Sequence, residues 1–107
     1  MNSNIPLVCN MNVFTPAQRH AHIQVTTQLI QAVQSIQEVE NGYAFTFPNE
    51  SEYITKLTEF IANERLCCPF LEFTLNVSAK TERLSLSLAG PSGTQEFLRA
   101  EFEGAFQ

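Results

Sequence analysis

Reactive side chains are concentrated in one place, Glu64-Arg65-Leu66-Cys67-Cys68-Pro69-Phe70. Two adjacent thiols stand three and four residues beyond a carboxylate. On a helix those spacings put all three groups on one face. The helix is predicted by Ile54, Leu57 and Ile61, an apolar stripe with Tyr53 and Phe60 beside it. The next position of that stripe is Glu64. A carboxylate therefore stands where the pattern asks for an apolar residue. It also lies near the helix C-terminus, where the macrodipole disfavours negative charge. Such local violations concentrate at functional or special structural positions. Arg65 suits a helix C-terminus and can compensate Glu64 if both side chains bend together. A tertiary partner, backbone amides of the first strand or of the Gly90 loop, would serve equally.

Four chemistries compete for this stretch. A nucleophilic Cys67 or Cys68 needs the thiolate, which helix N-termini stabilise. These cysteines are at the opposite end, beside a carboxylate, and both effects raise a thiol pKa. An inert, buried pair is the plain reading, because free cysteines are among the most buried residues. Ion binding is the third. Structural zinc prefers two or more residues between paired cysteines, which Cys67 and Cys68 lack. With Cys9 brought in through space, three thiols suit a softer metal ion. The fourth is general acid–base catalysis by Glu64, which needs a cleft and a raised pKa. His20 and His22 are two residues apart, cannot share a helix face, and read as solvated. Gly90-Pro91-Ser92-Gly93 reads as a turn and cap, without the Lys of a phosphate loop.

The elements that must position these groups follow from hydrophobic period. Ile5 to Phe14 reads as a strand, with Leu7, Cys9, Met11 and Val13 on its apolar side. Thr15-Pro16-Ala17-Gln18 opens a helix with a capping box. Ala21, Val25, Leu29, Val33 and Ile36 continue it until Asn41-Gly42. Tyr43 to Phe47 is a second strand. Asn49 and Glu52 cap the second helix, which Pro69 ends. Leu71 to Val77 and Leu84 to Leu88 alternate strictly and read as a hairpin. Ser92 and Gln95 cap a last helix carrying Phe97, Leu98, Phe102 and Phe106. The order is β-α-β-α-β-β-α. From Tyr43 onward it is a split β-α-β lacking one strand, whose place the N-terminal strand fills. We expect a single domain, 1–107, of the α+β class. It is a permuted ferredoxin-like, four-stranded sheet with helices mainly on one face.

Composition narrows the function. The 107 residues carry six Lys and Arg, scattered, and a net charge of −5. Phosphate backbones require clustered positive charge, so nucleic acid is not an expected partner. No apolar run approaches spanning length. Met1-Asn2-Ser3-Asn4-Ile5-Pro6 has neither a charged leader nor a signal core, so a cytoplasmic protein with reduced thiols is expected. Charged residues are only 16% and Phe numbers nine. Low charge leaves apolar surface to cover, which a homodimer would do.

Several segments resemble one set: Cys9-Asn10-Met11, Gly42-Tyr43-Ala44-Phe45, Glu64-Arg65-Leu66-Cys67-Cys68-Pro69-Phe70 with Phe73-Thr74-Leu75, and Gly90-Pro91-Ser92-Gly93 with Phe97-Leu98. They are similar to a family of small, uncharacterised bacterial cytosolic proteins with an E-R-x-C-C-P-F signature. The resemblance spans most of the chain and implies a bacterial cytosolic protein, without implying an activity. Glu96 stands where the resemblance predicts Lys, which weakens any anion-binding role for the Gly90 loop. The functional expectation is a small thiol-containing protein. It would bind a soft metal ion or small ligand at Glu64, Arg65, Cys67 and Cys68, with Cys9, Cys67 and Cys68 as metal ligands. The alternative is a non-catalytic homodimeric interaction or regulatory module in which the cysteine pair is structural.

Overall fold

Thr15 and Gln18 form the expected capping box, and Pro16 begins α1 (Pro16–Ala32). The computed structural model describes residues 7–106. After α1 come β1 (Ser35–Val39), β2 (Gly42–Phe47), α2 (Ser51–Cys67), β3 (Glu72–Ser78), β4 (Arg83–Ala89) and α3 (Thr94–Glu101). One-turn 3-10 helices lie at Met11–Val13 and Glu103–Phe106. The sheet order is β1-β2-β4-β3, and every neighbouring pair is antiparallel. The segment β2-α2-β3 has β4 between its strands, which is the split β-α-β of the ferredoxin-like fold. The α+β class, the four strands and the three helices are as expected.

The strand that completes the sheet comes from a different segment than the alternation suggested. Residues 7–10 are irregular and Met11–Val13 is a 3-10 turn, so the proposed Ile5–Phe14 strand is corrected. Ile5 and Pro6 lie outside the described residues. The vacant edge is filled by Ser35–Val39, read from sequence as the end of α1 and its exit. The helix stops at Ala32, where Val33 turns to an extended backbone. Asn41-Gly42 then belongs to the β1–β2 hairpin and is not a helix stop. Asn41 takes the left-handed conformation at φ 54°. A Cβ on Gly42 would collide with the β4 backbone at Leu88 and Ala89, so only glycine lets the strands approach.

Register puts Tyr43, Phe45 and Phe47 opposite Leu88, Leu86 and Leu84, with Phe73, Leu75 and Val77 beyond. This face carries the helices. Leu57, Leu84 and Leu98 are fully buried there, each worth about 1.5–3 kcal/mol of burial. The opposite face carries Gln37, Ala44, Thr46, Thr74, Asn76, Ser85 and Ser87, all exposed or half-buried, with none of the described helices over it. Two expected caps are absent. The N-caps of α2 and α3 are Glu50 and Gly93, without side-chain cap bonds. Gln95 instead reaches across to the β1–β2 hairpin, donating to Val39 O and Gly42 O.

Candidate metal centre

From its second turn onward α2 buries Leu57, Phe60, Glu64 and Cys67. Their spacings of three, four and three are those of one helix stripe, so the carboxylate does continue the apolar ridge inward. Glu64 keeps only 4% of its surface. A buried charge at a helix C-terminus is strongly disfavoured unless it is bonded. Its partner is His22 of α1, whose Nε2 lies 2.7 Å from Glu64 Oε1. His22 is 3% exposed, which corrects its reading as a solvated histidine. Phe60 stacks on its ring at 5.7 Å, and Phe14 lies tilted at 5.4 Å. Its Nδ1 has no partner among the described residues. A neutral ring that donates from Nε2 leaves Nδ1 as a lone pair.

Three sulfurs close around the carboxylate. Cys67 Sγ is 3.6 Å from Glu64 Oε1, and Cys68 Sγ is 3.3 Å from Oε2. The two sulfurs lie 3.8 Å apart. Cys68 caps α2, its N–H donating to Glu64 O at 2.8 Å, and Pro69 prevents the helix from continuing. Gly90 packs against Phe70, which fixes the exit from this corner. Cys9 arrives on the irregular N-terminal segment, held by Asn10 N–H donating to Cys67 O at 2.7 Å. It forms a disulfide with Cys68, across 59 residues and a Cα–Cα distance of 4.5 Å. The expectation of three reduced thiols is thereby corrected: Cys67 is the free one. Sequence reasoning placed Cys9 beside the pair, but on an apolar strand face that does not exist.

Arg65, read as Glu64's compensator and as a ligand-binding residue, is exposed one position round the helix. The basic group that meets the carboxylate is the His22 ring instead. The free thiol of Cys67 is pushed up to about 12, first by burial and then by the Glu64 charge. It is protonated at neutral pH, so a ready thiolate nucleophile is not what this corner builds. Glu101, exposed at the end of α3, still feels the site: partial burial of its carboxyl and then the Glu64 charge raise its pKa.

Comparisons with protein-family models, with curated proteins and with solved structures find no match.

What the corner can do is set by its donors. One ligand atom each from Cys9, Glu64, Cys67 and Cys68 lies within 4.8 Å of the others, so with the disulfide opened the group could hold a metal ion. A tetrahedral ion with metal–sulfur bonds of about 2.3 Å holds its sulfurs about 3.8 Å apart. Cys67 and Cys68 already have that separation. No helix among the described residues is long and apolar enough to cross a membrane.

Proposed function

We propose that the chain binds a soft metal ion through Cys9, Cys67 and Cys68, with Glu64 as the oxygen donor. The convergence of three sulfurs and one carboxylate within 4.8 Å, in a buried corner, carries this reading. Thiolate-rich sets select copper(I), zinc and heavier thiophilic ions over magnesium or calcium. His22 has the place of an outer-shell partner, holding the carboxylate in one orientation while its sulfur neighbours coordinate. The disulfide occupies two of the three sulfurs, so the binding form is the reduced one. The decisive measurement is titration of fully reduced protein with zinc(II) and copper(I) against a competing chelator, for wild type, Cys67→Ser and Cys68→Ser. Each serine variant is expected to lose at least about 100-fold in affinity. Equal, weak binding by wild type and variants would end the reading.

A homodimeric module is the second reading. It is supported by the sheet face without helices, where Ala44, Thr46, Ser85 and Ser87 are half-buried and carry no charge. Light scattering at micromolar concentration tests it, and a monomer with unchanged mass at all concentrations excludes it.

A further inference from the structure

We propose that the Cys9–Cys68 disulfide is a redox gate on the soft-ion site, and that Cys9 is the sulfur at which a dithiol reductant opens it. The inference rests on the ion-binding reading and adds its regulation. Both bonded sulfurs belong to the four-donor group. With the bond closed, only Cys67 and Glu64 remain as donors, one sulfur and one carboxylate. A soft ion that requires several sulfurs has no site there. With the bond open, all three sulfurs face Glu64 again. The same bond also ties the N-terminal segment to the end of α2. Once it is cut, that segment is held near α2 by Asn10 N–H to Cys67 O, and near α1 by Arg19 Nε to Met11 O at 3.4 Å. Both are ordinary hydrogen bonds that leave the segment free to adjust around an ion.

Access decides the order of events. Cys67 and Cys68 are 0% exposed, whereas Cys9 is half-buried on a stretch without regular structure. Exchange requires the attacking thiolate to reach one sulfur of the disulfide. A dithiol attacks Cys9 Sγ, and the Cys9–Cys68 bond breaks. The Cys68 sulfur leaves with the electron pair and takes a proton from the dithiol. The second sulfur of the dithiol then displaces Cys9, which leaves as a thiol with the second proton. The dithiol ends as a disulfide, and the two hydrogens it lost are on Cys9 and Cys68. Closure runs with a hydroperoxide as oxidant. Two thiols and one hydroperoxide give the disulfide, one alcohol and one water. Cys67, 0% exposed and outside the disulfide, takes no part in either direction.

The test uses the full chain and cadmium(II) as probe, read by sulfur-to-cadmium charge-transfer absorption. Oxidised protein and protein reduced with dithiothreitol, then freed of it under nitrogen, are titrated side by side. Reduced protein is expected to bind one equivalent, and oxidised protein to bind at least about 100-fold more weakly. Adding a hydroperoxide to the reduced, metal-free form should abolish binding, and dithiothreitol should restore it. Equal binding in both redox states overturns the gate and leaves the ion site standing. Absence of binding in both states overturns the ion site and the gate together. The entry point has its own readout. Oxidised protein treated with a monothiol is digested and mapped by mass spectrometry. The adduct is expected on Cys9, and an adduct on Cys68 overturns that assignment. Cys9→Ser, which cannot form the bond, should bind cadmium(II) more weakly than reduced wild type, with no response to hydroperoxide. A Cys9→Ser protein that still loses binding on oxidation would also overturn the gate.

Discussion

His22 and Glu64 show how one pair can decide a corner of a fold. The imidazole and the carboxylate are both almost fully buried and 2.7 Å apart. Removing one partner leaves the other desolvated and unpaired, which is destabilising by about 3 kcal/mol or more. His22→Ala is therefore expected to lose about that much in urea denaturation at pH 7. Glu64→Gln, which keeps an oxygen for Nε2–H, should lose less than about 1.5 kcal/mol. The double variant His22→Leu with Glu64→Leu should be more stable than the summed losses of His22→Leu alone and Glu64→Leu alone imply, a coupling of at least about 1 kcal/mol. Strict additivity would mean that the pair does not interact. The thiol beside it gives a second prediction. The Cys67 pKa rises from 9.0 to about 12 on folding, through burial and the Glu64 charge. Between those values the unfolded chain has lost a proton that the folded chain keeps. Stability is thus fully present below about pH 9 and falls as pH climbs toward 12, by at most about 1.4 kcal/mol per unit. Cys67→Ala should remove that alkaline slope, and parallel slopes for the two proteins between pH 9 and 11 would refute the assignment.

Among the elements, what was legible depended on whether one period could win. Leu84, Leu86 and Leu88 alternate with serines, and Leu75 and Val77 with polar residues, so β3 and β4 stand where the alternation puts them. Val33 and Ile36 fit a helix stripe as well as they fit the entry to a strand, and the helix pattern ran on too far. The β-branched run Val33, Ile36, Val39 and the hairpin pair Asn41-Gly42 were the competing signal. The reverse error made a strand of the segment ending at Phe14. Its alternation was real, but a 3-10 turn capped by Asn10 interrupts it, with Asn12 N–H donating to Asn10 Oδ1. His22 was also readable in principle, since it precedes Val25 by three and Leu29 by seven and so belongs to the buried stripe. The polar type of the residue concealed its place. The hairpin reading has its own test. Gly42→Ala pushes a methyl into the β4 backbone and is expected to destabilise by about 1–3 kcal/mol. A helix stop at the same residue would respond mildly, and a loss below about 0.5 kcal/mol in thermal denaturation would contradict the observed pairing.

At the scale of the whole molecule, the Cys9–Cys68 bond closes most of the chain into a loop, with a separation of 59 residues. No reading of Cys67 and Cys68 alone could reach that bond, because its second partner is brought by tertiary packing of the N-terminal segment on α2. A loop of that length restricts the unfolded chain, and the bond is expected to contribute about 2–4 kcal/mol. Reduction should therefore lower the urea midpoint with little change in the folded spectrum, since α1, α2 and the sheet keep their own core. An ion that binds the reduced fold and not the unfolded chain restores stability by mass action, about 2.7 kcal/mol at one hundred times its dissociation constant. Three states then rank in a fixed way. Reduced, metal-free protein is the least stable, while the oxidised form and the reduced form loaded with cadmium(II) both lie above it. The Cys67→Ser variant separates the two sources of stability, because it retains the disulfide and lacks a sulfur for the ion. It should show the full effect of reduction and only a small recovery with cadmium(II). If cadmium(II) stabilises reduced Cys67→Ser as much as reduced wild type, the ion is held elsewhere on the chain, and the disulfide is a structural tie alone.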